Sequence, residues 1–207
     1  MSRGFSEMDR MGKEEVVRFY RWHLRDFGDT PMGVRWTEEG QKLRYEKILQ
    51  CMGDPSGKRL LDFGCGKGDF YGFLKGRGYR FDYTGIDITP ELVELGRRKF
   101  PTARFEVLDI EEEGLREDFD IVVVIGTFNL RVAGIKDTFR TALKILYSHA
   151  REAVHLNCLS SVRKTRDPEL FMLAPDELVA FVSGEITGRF RLLHGEVEGE
   201  MFLSLYK

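Results

Sequence analysis

Residues 60–74, LLDFGCGKGDFYGFL, constrain the fold of this chain more than any other stretch. They read as a buried strand (Leu60, Leu61, Asp62, Phe63), a glycine turn (Gly64, Gly66, Gly68) and the start of a helix. Glycine lets a backbone turn tightly and lets a ligand approach it closely. The first N–H groups of the helix have no partner within it, so they face a polar or anionic group. Strand, glycine turn and helix together form the entry to a nucleotide-type site in an α/β sheet.

The pattern continues past that entry. Strands are predicted at 59–63, 79–86, 103–108, 119–125 and 153–158, with helices at 70–75, 90–100 and 136–150 between them. Thr89 at the N-cap and Pro90 at the first helical position mark one start. Phe139, Ala142, Leu143 and Leu146 lie at i, i+3, i+4 and i+7 in the last helix. Such alternation predicts a mostly parallel sheet with helices on both faces. A short helix at 175–182 follows, then strands at 189–193 and 200–206 close enough to pair as a hairpin. That pairing predicts seven strands with an antiparallel C-terminal edge.

Before the first strand, residues 1–12 read as polar and frayed. Val16, Tyr20, His23, Leu24 and Phe27 recur at helical spacing over 13–27, and GDTP breaks the helix after Phe27. Thr37 is an N-cap for a second helix whose apolar face is Tyr45, Ile48, Leu49 and Met52. The chain is therefore divided into a helical arm, 1–57, and an α/β domain, 58–207. The arm is expected to act as a lid and to carry specificity.

Bulk properties exclude several classes. Net charge is −2, without the basic excess of a nucleic-acid binder, so nucleic acid is an unlikely partner. Cys51, Cys65 and Cys158 are an odd set with no CxxC, which argues against a disulfide scaffold or zinc knuckle, and no metal is expected. They fit a reducing cytoplasm. Apolar runs such as 121–125 are far too short to span a bilayer, and the N-terminus lacks a signal-peptide core, so no membrane partner is expected. Two Asn and two Gln among many charges lean toward a thermophilic source.

Three positions carry the chemistry. The glycine turn ends the first strand, Asp87 the second and Asp109 the third. Carboxyl ends of parallel strands line one crevice, where ligands sit. An acid at the second end suits two ribose hydroxyls, and one at the third suits an adenine amino group. The glycine spacing decides between cofactors. G-x-G-x-x-G fails, because Asp69 or Tyr71 falls at the third position, depending on register. A phosphate loop fails because Leu61 stands at its first glycine and Gly68 follows Lys67.

LLDFGCGKGDF, followed by GIDITPELVELGRRK and FEVLDIEE, resembles the class I S-adenosylmethionine (SAM) methyltransferase family, with its Rossmann-like sheet. The resemblance covers roughly residues 58–160 by motif, and the hairpin extends it to the C-terminus. It implies that Asp62, Gly64, Cys65, Gly66 and Gly68 surround the amino-acid part of SAM. Asp87 would hold the ribose, Ile88 would flank the adenine, and Asp109 with Ile110 would bind the adenine edge. FDIVVVIGTFNLR resembles the fourth-strand motif, placing Gly126, Thr127, Phe128 and Asn129 beside the transferring methyl. The segments WTEEGQKLRYEKIL and LSSVRKTRDPELFMLAPDELVAFV resemble a poorly characterised microbial subgroup of that family. GTFNLR is not the Asn/Asp-Pro-Pro-aromatic sequence of adenine-N6 and glutamine methyltransferases, and the Pro-Cys of cytosine-C5 enzymes is missing.

The expected activity is methyl transfer from SAM to an oxygen or nitrogen of a small-molecule acceptor. The sequence leaves open an NAD-type oxidoreductase, a non-catalytic SAM-binding protein and any oligomeric state. Asn129, His155 and His194 are the candidate catalytic residues, with His23 behind them. Asn129 reads equally as a cap for the next helix, and His155 as a core histidine. Trp36 is expected to close over cofactor or substrate. Arg44 reads as a solvated helix residue, with the SAM carboxylate as its other partner. The run 163–166 reads as a solvated loop, with an anionic substrate as the alternative.

Overall fold

The computed structural model describes residues 10–163 and 167–207. Its elements run α1 (Arg10–Phe27), a 3-10 turn (Pro31–Val34), α2 (Glu38–Met52), β1 (Arg59–Phe63), α3 (Asp69–Gly76), β2 (Asp82–Asp87), α4 (Pro90–Lys99) and β3 (Arg104–Val107). They continue with α5 (Ile110–Glu113), β4 (Phe119–Ile125), α6 (Ile135–Ser148), β5 (Ala150–Leu159), α7 (Pro175–Glu185), β6 (Phe190–His194) and β7 (Glu200–Tyr206). The seven strands form one sheet in the order β3-β2-β1-β4-β5-β7-β6. Strands β1 to β5 pair in parallel, and β7 lies antiparallel between β5 and β6. The hairpin therefore supplies the antiparallel edge, and its second strand lies on the inner side.

The centre of the sheet explains its apolar sequence. Ile121, Val123 and Ile125 pack on one face of β4, and Val122 and Val124 on the other. A strand covered on both sides reads as a continuous apolar run rather than an alternating one. One face is closed by Phe139, Leu143 and Leu146 of α6 and Leu178 and Phe181 of α7. The opposite face is closed by Ile48 of α2, Phe70, Tyr71 and Leu74 of α3, and Val93 of α4. Each fully buried side chain of this kind stabilises the fold by roughly 1.5–3 kcal/mol.

The helices ahead of β1 behave differently from one another. Helix α2 packs on β4, β5 and β7 with Ile48 wholly buried, while α1 packs on the 3-10 turn and α4. Thr37 caps α2 by accepting from the Gly40 amide.

Several elements depart from the sequence expectation. Helix α1 begins at Arg10, so 10–12 are ordered in a helix, and residues 1–9 lie outside the described part. GDTP leads into a 3-10 turn rather than simply breaking the chain. Strand β2 starts at Asp82 instead of 79, because Tyr79 closes α3 by donating to the Leu74 carbonyl at 3.4 Å. Helix α6 stops at Ser148 and β5 starts at Ala150. Helix α5 was not anticipated. Asp109 caps it, accepting from the Glu111 amide at 3.0 Å. Among the described residues no helix is long and apolar enough to cross a membrane.

Candidate active site

The cleft opens where β1, β2 and β4 end. The Gly64 and Cys65 amides both donate to the Ile86 carbonyl, at 2.7 and 3.0 Å, which ties the turn to β2. The Gly66 amide donates to Asp87 Oδ2 at 2.9 Å, and Asp87 Oδ1 accepts from the Thr89 amide at 2.8 Å. Asp87 thus joins the glycine turn to the start of α4. Gly64 has φ +75, and a Cβ there would overlap the Thr127 side chain. Thr127 Oγ1 donates to the Phe63 carbonyl at 2.8 Å, so the ends of β1 and β4 interlock at a point where only glycine fits.

Acids dominate the polar part of the wall. Asp62, 2% exposed, accepts from the Tyr83 hydroxyl at 2.8 Å. Burial, with Asp87 and Asp69 nearby, pushes its carboxyl up to about 7 despite that hydrogen bond. Burial also raises Asp87. Asp109 Oδ2 lies 2.6 Å from Lys13 Nζ of α1. Burial works against the Lys13 ammonium, but Asp109 and Glu111 outweigh it and raise its pKa. Lys67, also in the wall, is paired with Asp69 and Asp29. The cleft holds about 1090 Å³ of space with its open mouth included. Its floor adds the apolar Ile88, Ile110 and Phe128. Carboxylates at three strand ends and an apolar floor fit a cationic sulfonium and ammonium beside a purine, as SAM requires.

The expected cofactor residues Asp62, Gly64, Cys65, Gly66, Asp87, Ile88, Asp109, Ile110 and Gly126 all line this cleft. Gly68 does not. A Cβ on it would lie 2.6 Å from Phe105 Cζ, so its glycine serves packing of the turn on the sheet. The Cys65 thiol is buried and raised well above the usual range by burial, so the residue contributes backbone rather than nucleophile.

A second cavity adjoins the first. Tyr20, Val34 and Trp36 line both. Trp36 is seated against the end of β4, where Gly126 has φ +71 and a Cβ would run into the indole ring. The Arg44 guanidinium lies 4.7 Å over the same ring. Arg44 also pairs with Glu200, its Nε donating to Oε2 at 3.0 Å. Asn157 Nδ2 donates to Glu200 Oε2 at 2.8 Å, and Asn157 Oδ1 accepts from the Gly126 amide at 2.9 Å. A buried relay thus runs from α2 through β7 and β5 to the backbone of β4. Arg44 is neither a solvated helix residue nor part of the cofactor cleft. Tyr20 is pushed up to about 12, chiefly by burial.

The candidate catalytic residues are not brought together. Thr127 and Phe128 line the first cleft, whereas Asn129 lines the second cavity, its carbonyl accepting from the Phe171 amide at 2.8 Å. Asn129 does not cap α6 either, because Gly134 holds that position. His155 lies inside the sheet at 2.8 Å from Ser204 Oγ, pushed down to about 4 by burial. His194 is exposed at the end of β6, and His23 is buried at 3.0 Å from the Phe19 carbonyl. Neither cavity is lined by a described histidine. Arg163 lines the second cavity, and 164–166 lie outside the described residues. Sequence reading missed Lys13, Tyr20 and Tyr45 in the cleft wall, and Glu200 and Asn157 behind it. The helical spacing that carries Tyr20 and Tyr45 was visible, but their second role was not.

The chain is similar to known methyltransferases. Residues 60–149 match the family model described as a methyltransferase domain. Rv1506c of Mycobacterium tuberculosis (strain H37Rv), provisionally named a methyltransferase, is 30% identical over 142 residues, covering 65% of this chain and 84% of that protein. The fatty-acid O-methyltransferase of Mycolicibacterium smegmatis is 26% identical over 152 residues, 67% of this chain, and the match spans only 55% of that relative. The solved DhpI complex with S-adenosylhomocysteine (SAH) overlays with a TM-score of 0.71 at 16% identity, covering 95% of this chain and 97% of that one.

Proposed function

Because this chain belongs to the class I SAM-dependent methyltransferase family and is a SAM-dependent methyltransferase, we propose that it methylates an oxygen or nitrogen of a small molecule held in the second cavity. The shared wall of Tyr20, Val34 and Trp36 carries this reading, since it sets a second space directly beside the cofactor cleft. Bound SAM supplies a methyl already activated by its sulfonium. Asp62, Gly64 and Gly66 would surround its amino-acid part, Asp87 its ribose, and Asp109 with Ile110 its adenine. Gly126, Thr127 and Phe128 line the cofactor cleft, and Trp36 lines both spaces.

The protein's own contribution is alignment and exclusion of water. Holding acceptor and methyl in line replaces a bimolecular encounter and can supply roughly 7–11 kcal/mol of the barrier. No histidine reaches either cavity, so the acceptor atom must arrive without a dedicated histidine base. The arm lines the cleft through Lys13 and Tyr20 of α1, Val34 of the 3-10 turn and Gln41 and Tyr45 of α2, and α1 with the 3-10 turn is the part that serves as lid. Helix α2 is fixed to the sheet by Ile48 and by Arg44 on Glu200. Free cysteines, with Cys65 and Cys158 buried, fit the reducing cytoplasm as the place of action.

Methyl-labelled SAM tests the reading. Incubated with the protein and a fractionated cell extract, it should label a fraction below about 1 kDa, as drug-sized acceptors require. Label only in protein or nucleic acid would overturn it. Trp36→Ala should lower kcat while leaving SAH affinity within about threefold, well under 1 kcal/mol.

A further inference from the structure

The second cavity is lined by three charged side chains, Arg35, Arg44 and Arg163, and by no acid among the described residues. Their hydrogen-bonding capacity is unevenly used. Arg44 is committed to Glu200 and to the face of Trp36. Arg35 turns Nη2 to Asp167 at 2.9 Å and to Glu169 at 2.8 Å, at a rim where those acids are 40% and 64% exposed. Arg35 Nη1 and Arg163 Nε are both buried and have no hydrogen-bond partner among the described residues. Buried donors without partners are rare in folded proteins, and each calls for an explanation. Here two guanidinium N–H groups without partners belong to residues that line one cavity.

The backbone supports a placed side chain rather than an accident. Arg35 has φ +61 and is the one described non-glycine residue with positive φ. Its amide donates to the Met32 carbonyl at 2.9 Å, which holds the chain in that conformation. This is the cap that closes the 3-10 turn, and it fixes the point from which the side chain enters the cavity wall. Arg163 lies across Gly199, where a Cβ would come within 2.8 Å of Arg163 Cβ and 3.1 Å of its Nε.

We propose that this cavity is an anion subsite, in which Arg35 Nη1 and Arg163 Nε hold a carboxylate of the acceptor. The proposal rests on the second cavity being the acceptor's. Charge decides between oxyanions. Among the described residues Arg35 pairs with Asp167 and Glu169 and Arg44 with Glu200, while Arg163 has no acid partner, which leaves one guanidinium charge for a ligand to meet. A monoanion suits two leftover N–H donors, whereas a phosphate dianion would bring excess charge into a partly desolvated site. Phe19, Leu130, Leu159 and Leu170 add apolar surface beside the polar Thr37 and Asn129, so an acceptor with an aliphatic part next to its carboxylate fits.

Thermal unfolding and calorimetry with SAH present test this directly. The probes are straight-chain carboxylates from acetate to octanoate, each beside its primary amide, and inorganic phosphate. At least one carboxylate should raise Tm above its amide, and Arg35→Gln and Arg163→Gln should each weaken its binding about tenfold or more, as loss of a charge-assisted hydrogen bond does. Both variants should keep the stabilisation by SAH. Equal effects of acids and amides, a larger effect of phosphate, or full retention by the variants would overturn the subsite. Failure of SAH itself to stabilise the wild type would instead strike the methyltransferase reading. Should one variant not fold, the wild-type comparison of acid with amide still decides.

Discussion

The two cavities share a wall and are built on different principles. The first is organised by strand ends, a glycine turn and carboxylates within a residue or two of them, with side chains of α1 and α2 along one wall. The second is made of side chains drawn from α1, the 3-10 turn, α2, the loop after β4 and the segment around Arg163. The first presents acids and the second arginines. A cofactor common to many enzymes can be held by a geometry that the sheet supplies, whereas an acceptor particular to one enzyme needs contacts assembled from distant segments.

The comparison is most severely tested at the relay. Arg44→Ala leaves the Glu200 carboxylate buried with Asn157 as its remaining partner. It should cost about 3–5 kcal/mol in chemical denaturation, as removal of one partner from a buried pair does. A loss below about 1 kcal/mol, the level of surface pairs, would mean that α2 is not clamped. Gly64→Ala comes next. The added methyl overlaps Thr127, so SAH affinity by calorimetry should fall about a hundredfold, near 2.8 kcal/mol. An unchanged affinity would break the claim that the first cavity is organised by its glycine turn.

Titration of Asp62 gives a smaller effect. With its carboxyl near 7 in the free protein, a donor ammonium bound against it, as proposed, would displace a proton. SAH affinity should therefore rise about tenfold from pH 6 to 8 and level off above, and Asp62→Asn should flatten that profile. Folding stability carries the opposite sign. A carboxyl raised from 3.8 to about 7 binds its proton more tightly in the folded state, so its contribution is complete at low pH and fades as pH rises through 7. His155, lowered from 6.5 to about 4, contributes stability that is present above 6.5 and lost as pH falls toward 4. The two slopes oppose one another in that window, and Asp62→Asn should expose the histidine's. The smallest effect is expected from Arg35→Gly. Release of a left-handed backbone, roughly 1–2 kcal/mol, offsets the loss of the exposed rim pairs, so stability should stay within about 1 kcal/mol.

The first cavity was legible because its parts are local. β1, β4 and β7 have the bounds read from their apolar runs, and the three acids stand where strands end. Gly68 packs on Phe105 outside the cleft lining, a placement that glycine spacing in the sequence does not distinguish from one facing the cleft. Tyr79 and Phe81 extended β2 on paper because apolar residues in a loop that packs on the core look like strand. Helix α5 is too short to show a period. The second cavity left no local trace. Arg44 and Glu200 are separated by 156 residues, and nothing near either names the other.

The relay has a consequence for recombination of such proteins. Gly126 at the end of β4, Asn157 on β5, Glu200 on β7 and Arg44 on α2 form a unit spread over the chain's whole length. A chimera that takes its first 57 residues from a relative inherits a carboxylate in the hairpin that expects a guanidinium from the arm. The arm and the hairpin must therefore be exchanged together, although the chain places them far apart in sequence.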